Sequence, residues 1–229
     1  MFLQVILPII LCFVPVIIAA LIIYRFEIKV LHILTAIIIG LVAILPISLI
    51  QYFINTQRIF HNIMTTPILY YLVSSLIVYG FIEETFKSGF AALVPHKNYN
   101  ILQQTLLIGL MGLSLAGFEN VVYFMDLFQK ASNKGAQLIY TQIFARFFTA
   151  DIIHFTCTAI CGMFIISLRD KNLRTRWGFF LTAFLLHGAY DFFACFQNNL
   201  KWFQIPVILL AIVETRIKYK TLTTPDEEK

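Results

Sequence analysis

Charge is what this chain has least of. Only 13% of its 229 residues are Asp, Glu, Lys or Arg, 59% are hydrophobic, and the mean hydropathy is +0.82. A typical soluble domain is about 25% charged and roughly 45–50% apolar. There is too little polar residue here to cover a globule in water, which excludes a soluble domain and a disordered one alike. Four cysteines are too few for a disulfide scaffold. Cys12, Cys157, Cys161 and Cys195 all lie in apolar runs and read as buried free thiols. Neither an internal repeat nor a low-complexity tract nor a linker is visible, so residues 1–229 read as one integral membrane domain. His-Glu-x-x-His and Gly-x-Ser-x-Gly are both missing, so the standard zincin site is excluded and nothing speaks for serine chemistry.

What the chain does have is long apolar runs, too long for the strands of an outer-membrane barrel. A spanning helix needs about 20 mostly apolar residues. Seven segments qualify: 2–24, 30–54 with a kink expected at Pro46, 67–94, 104–128, 138–168, 177–196 and the short 202–217. The expected fold is all-α, a polytopic transmembrane bundle of about seven spans, followed by a polar, disordered cytoplasmic tail over 218–229. Met1 leads straight into the first run without a basic n-region, so that run is expected to be a retained helix. The net charge of +5 sits in short clusters between apolar runs, a pattern that sets membrane topology and excludes a nucleic-acid partner. Alternate loops and the tail carry eleven Lys and Arg, the other loops four. The expected topology is multi-pass in the cell membrane, N-terminus outside and C-terminus cytoplasmic.

A charged group at mid-bilayer costs at least about 2.5–3.5 kcal/mol. Glu83, Glu84, Lys87, Glu119, Arg146, Asp151, His154, His187 and Asp191 all lie inside apolar segments, and all fall in the third to sixth of them. That segregation predicts a polar cavity enclosed by those four, with the others as wall. Lys87 lies four residues after Glu83 and three after Glu84, within reach of both. One cation against two carboxylates leaves a negative surplus in a poorly solvated site, the environment a general base needs. His187 and Asp191 are one turn apart, so the carboxylate can hold the imidazole in one tautomer for metal ligation or proton transfer. Gly188 and Ala189 would admit a close-packed neighbouring backbone. Glu119 has Asn120 and Tyr123 as candidate hydrogen-bond partners, and Asp151 and His154 can pair at i,i+3. His154, Cys157 and Cys161 share a helical stripe that reads as packing. His32, His61 and His96 fall near helix ends or loops and read as structural.

Together these residues resemble the PrsW family of intramembrane proteases. Glu83-Glu84-Thr85-Phe86-Lys87 matches its Glu-Glu-x-x-Lys motif, Glu119-Asn120 with Tyr123 resembles the second motif, and His187 with Asp191 matches His-x-x-x-Asp. Arg146, His154 and Gly162 resemble a further Arg…His…Gly pattern, and the similarity covers about 67–196. The position four before the second-motif glutamate, often phenylalanine in the family, is Leu115 here, with Phe118 adjacent to Glu119. The related CAAX-processing and bacteriocin-processing proteases carry Glu-Glu-x-x-x-Arg and a histidine in the second motif, so Lys87 and Glu119 favour PrsW.

The resemblance implies hydrolysis of a peptide bond in a membrane-anchored protein; in characterised members this is first-site cleavage of an anti-sigma factor. It implies catalytic roles for Glu83, Glu84, Lys87, Glu119, His187 and Asp191. Metal-dependent and metal-free glutamate mechanisms both fit these residue types. With zinc, an imidazole and carboxylate set with one open position is required. Glu119, His154 and His187 are then the expected ligands, with Glu83 or Glu84 as base. The rival reading of the same carboxylates and histidines is a proton-coupled transporter, against which stands the lack of an inverted repeat.

Overall fold

The computed structural model describes residues 2–56, 66–130, 135–170, 173 and 176–224. His61 lies outside them, as do Arg58, Lys134, Lys171, Arg174 and Lys229, which belong to the loop and tail charges counted above. Regular structure among the described residues is helical throughout: α1 Phe2–Cys12, α2 Val14–Tyr24, α3 Val30–Thr56 and α4 Pro67–Val73, then a π-helical stretch Ser74–Phe81 leading into α5 Ile82–Ala91. There follow α6 Ile101–Lys130, α7 Gly135–Phe147, α8 Ala150–Arg169, α9 Trp177–Ala194, a short 3-10 turn Asn199–Phe203 and α10 Gln204–Thr223.

These helices build seven rods at the places where apolar runs stand in the sequence. Five of them are long and apolar enough to cross a membrane: Val5–Tyr24, Val30–Thr56, Pro67–Ala91, Ile101–Gln129 and Ile139–Arg169. Three rods carry internal breaks the apolar pattern does not show. Pro15, near the start of α2, has no N–H to continue a helix, and the first rod breaks at Phe13. Pro46, by contrast, is accommodated inside an unbroken α3. The third rod loosens to π geometry over eight residues, a local unwinding that often marks a functional helix. The fifth breaks at Phe148 and Thr149, between Arg146 and Asp151. The last rod runs on through the start of the expected tail, to Thr223, because Leu222 is buried. One cysteine departs from expectation: Cys195 follows the last residue of α9 and is exposed, while the other three are buried.

α6 and α8 form the centre. The spans holding them are 72% and 78% buried, the first two spans only 22% and 33%. Exposed Leu21, Leu31, Leu45 and Leu49 give the outer rods an apolar surface suited to lipid. Small residues set the crossings. A Cβ on Gly112 would meet His154 O at 2.7 Å, so α6 touches α8 backbone to backbone. A Cβ on Gly188 would meet Leu76 Cα and Ser75 O at 2.8 Å, and one on Gly80 would meet Phe184 O at 2.6 Å. α9 therefore lies directly against the π-helical stretch, as Gly188 leads one to expect. Leu115 is fully buried among Ala43, Ile44, Ile47 and Phe86.

At one end of the bundle, the loops between the first and second rods and between the third and fourth meet. Gln103 Nε2 donates to Phe26 O at 2.9 Å, and Lys29 N to the Tyr99 hydroxyl at 3.1 Å. Arg169, at the end of α8, donates to the carbonyls of Ala91 and Ala92.

Candidate active site

The polar residues of the four middle rods converge. α5 turns Glu83, Glu84 and Lys87 inward, all buried. Lys87 Nζ lies 2.9 Å from Glu83 Oε1 and 2.8 Å from Glu84 Oε1, the double pairing that the spacing predicts. It also lies 3.0 Å from His154 Nδ1 on α8. An ammonium only donates, so His154 Nδ1 accepts, and the ring proton sits on Nε2. Nε2 faces Glu119 Oε2 at 2.8 Å. His187, on α9, has Nδ1 2.7 Å from Glu84 Oε1. With its proton held there, Nε2 is left as the bare nitrogen.

Both rings thus present one nitrogen to a carboxylate and the other to a common centre. Their centroids are 4.9 Å apart. Glu83 Oε1 completes the set, 3.2 Å from His154 Nδ1 and 3.9 Å from His187 Nε2. Among the described residues, Glu83, His154 and His187 are the group whose donor atoms all lie within 4.8 Å of one another. The expected trio had Glu119 in place of Glu83. Glu119 reaches the outer nitrogen of His154, so it stands behind that ring, where a carboxylate orients a ligating imidazole. Glu84 stands behind His187 in the same way. Asp191, read from the i,i+4 spacing as the partner of His187, is farther off, with Oδ2 3.5 Å from Nε2. The ring turns its Nδ1 across the helix interface to α5, and Asp191 is left on the side of the bare nitrogen.

The fit to a metal ion is good in donor chemistry. Two imidazoles and a carboxylate, all buried, are a three-ligand set of the kind a catalytic zinc uses. Glu83 Oε1, although within ion-pair distance of Lys87 and both histidines, receives no well-directed hydrogen bond among the described residues. Its lone pairs are available to a cation. Lys87 Nζ touches two of the same three donor atoms, so a metal ion there requires the ammonium to withdraw towards Glu84.

Residues 29–215 match the family described as PrsW family intramembrane metalloprotease. The chain belongs to the PrsW family. No curated protein and no solved structure matches it. Family membership and the apolar spans make this a multi-pass membrane protein and an intramembrane endopeptidase, which sets the transporter reading aside.

Around the PrsW centre lie contacts that spacing alone leaves open. Asn120, adjacent to Glu119, takes the Nε–H of Arg146 on its Oδ1 and donates through Nδ2 to Asp151 Oδ1 at 2.8 Å. Asp151 is therefore joined to α6 and not to His154. Arg146 also reaches Glu119 Oε1 at 3.5 Å and stacks its guanidinium on the Tyr123 ring, 4.0 Å from the centroid. Tyr123 thus meets the site through its ring face. Cys161 was missed as a site neighbour: its Sγ lies 3.4 Å from Glu84 Oε2. The signal was the stripe it shares with His154, seven residues earlier on the same helix face. Gly162 packs on Ile108 and takes no part.

Proposed function

We propose that this chain hydrolyses a peptide bond of a membrane-anchored protein at the centre between Glu83, His154 and His187, and that these three hold a zinc ion. The observation that carries the reading is the pairing of each ring's outer nitrogen with its own carboxylate, Glu84 for His187 and Glu119 for His154. With Lys87 donating to His154 Nδ1 and Glu84 taking the proton of His187 Nδ1, this arrangement supports tautomers that leave both inner nitrogens unprotonated, with Glu119 Oε2 2.8 Å from His154 Nε2. A bound zinc ion would polarise the scissile carbonyl and yield hydroxide near neutral pH.

The chain's own groups do the rest. Lys87 balances the adjacent carboxylates Glu83 and Glu84, so that α5 can carry both within the bundle. Arg146 and Asn120 hold Glu119 and Asp151 in place. Asp191 is the carboxylate we assign as general base. Its side chain keeps a quarter of its surface, whereas that of Glu84 is wholly enclosed and already engaged by Lys87, His187 and Cys161. Asp191 takes a proton from the attacking water and returns it to the leaving amine.

On the family resemblance, an anti-sigma factor is the first substrate to test. The meeting of the basic loops at one bundle end supports a topology with that end and the C-terminus in the cytoplasm. The test is paired. Glu83→Gln, His154→Ala and His187→Ala should lose both bound zinc and cleavage of a reconstituted membrane substrate. Asp191→Asn should keep zinc and lose cleavage by about 100-fold or more. Full activity of chelated, metal-free protein would refute the zinc assignment, and an active Asp191→Asn the base.

A further inference from the structure

The two oxygens of the carboxylate behind His187 are held unequally. Glu84 Oε1 meets both the Lys87 ammonium, at 2.8 Å, and His187 Nδ1, at 2.7 Å. Oε2 has one partner among the described residues, the thiol of Cys161 on α8, with Sγ at 3.4 Å. A carboxylate only accepts, so the S–H donates. Both side chains are fully buried. Ser88 Oγ, one turn further along α5, is buried too and has no hydrogen-bond partner among the described residues, so it gives Glu84 no second donor.

A thiol is a weak donor, but without it a buried, charged acceptor stands unpaired, which is costly. The contact also fixes an angle. The last torsion of a glutamate side chain is broad and resists rotation little. Here the carboxylate is held from three helices, by α5 itself through Lys87, by α8 through Cys161 and by α9 through His187. Released at Oε2, it can turn towards Lys87, three residues on along its own helix, and let His187 go. The imidazole then loses the group that keeps its proton on Nδ1.

We propose that Cys161 is a positioning residue of the reaction. Its S–H pins Glu84 so that Oε1 stays on His187 Nδ1 and His187 Nε2 stays bare. The proposal rests on the reading of His187 given above, with its proton on Nδ1.

A thiol that only fills space makes a different demand on its substitutes. Cys161→Val keeps an apolar side chain of similar size and removes the donor, whereas Cys161→Ser keeps a donor and gives up volume. Each variant is made in the full-length protein and purified in detergent. The tautomer of His187 is read in chelated, metal-free protein from the NMR shifts of isotope-labelled histidine nitrogens, assigned by their loss in His187→Gln. Wild type and Cys161→Ser are expected to hold the proton on Nδ1, and Cys161→Val to give a mixture of the two tautomers. On a reconstituted membrane substrate, Cys161→Val is expected to lose kcat by about tenfold, the lower end of what a carboxylate behind a metal ligand is worth. KM should be unchanged, and Cys161→Ser should recover most of the rate. A Cys161→Ser no faster than Cys161→Val would assign the thiol to packing and overturn the proposal. So would a proton held wholly on Nδ1 in Cys161→Val. The tautomer measurement needs neither zinc nor turnover. A proton on Nε2 in the wild type would refute the reading of His187 and the proposal with it, whereas Nδ1–H in wild type and Cys161→Val alike overturns the proposal alone.

Discussion

Replacing Lys87 with methionine keeps the length of the side chain and removes its charge. Nζ is fully buried and lies within 3.0 Å of Glu83, Glu84 and His154. Without it, two adjacent carboxylates on one helix turn face each other with only imidazoles to answer them. Removing one partner of a buried ion pair is destabilising by about 3–5 kcal/mol. Because this ammonium serves two carboxylates at once, we take the upper half of that range. In a chain of this size each kcal/mol moves the melting midpoint by roughly 2–4 °C. Lys87→Met is therefore expected to melt roughly 8–20 °C below the wild type after chelation. The assay is thermal melting of the detergent-purified protein, followed by tryptophan fluorescence. Added zinc should raise the midpoint of the variant more than that of the wild type, since the ion no longer meets an ammonium on Glu83 and His154. A variant that melts within about 2 °C of the wild type, with and without zinc, would refute the placement of Lys87 at the centre of the charge balance.

Glu119→Gln removes the carboxylate behind His154 and is expected to lower metal affinity by about 10–100-fold, read by competition with a chromogenic chelator. Asn120→Ala leaves Arg146 and Asp151 without their shared amide and should destabilise by about 1–3 kcal/mol, seen as a lower melting midpoint. Gly188→Leu forces α9 away from Ser75 and Leu76, and a loss of about 1–3 kcal/mol or more is expected, together with loss of cleavage. An unchanged midpoint would show that the crossing is looser than the 2.8 Å approach at Gly188 implies.

The seven rods were legible because lipid imposes a length and an apolarity that no side-chain detail can hide. The four rods that hold the site were legible for a related reason: charged residues are placed at depth only where something encloses them. Lys87 between Glu83 and Glu84 followed from spacing along one helix. What spacing could not supply was the side of each ring. From the sequence His187 has Asp191 one turn away, but nothing in the chain says that its Nδ1 turns to Glu84 across a helix interface. The exchange of Glu119 for Glu83 beside the two histidines has the same origin, since which carboxylate stands inside the rings depends on the crossing of α6 and α8 at Gly112. The break between Arg146 and Asp151 was hidden because the apolar run continues across it.

The contact at Gly80 and Gly188 bears on how a substrate gets in. Two backbones meet there with no side chain between them, so the seam between the third and sixth rods is shut against an extended polypeptide. Glu84 and Lys87, beside that seam, keep no exposed surface at all. Glu119 and Asp191 each retain about a quarter of theirs, and Val122 and Tyr123 are exposed near Glu119 on α6. The exposed edge of the proposed centre thus lies between α6 and α9, and cleavage there would require a substrate segment to pass Glu119, Asp191 and Tyr123.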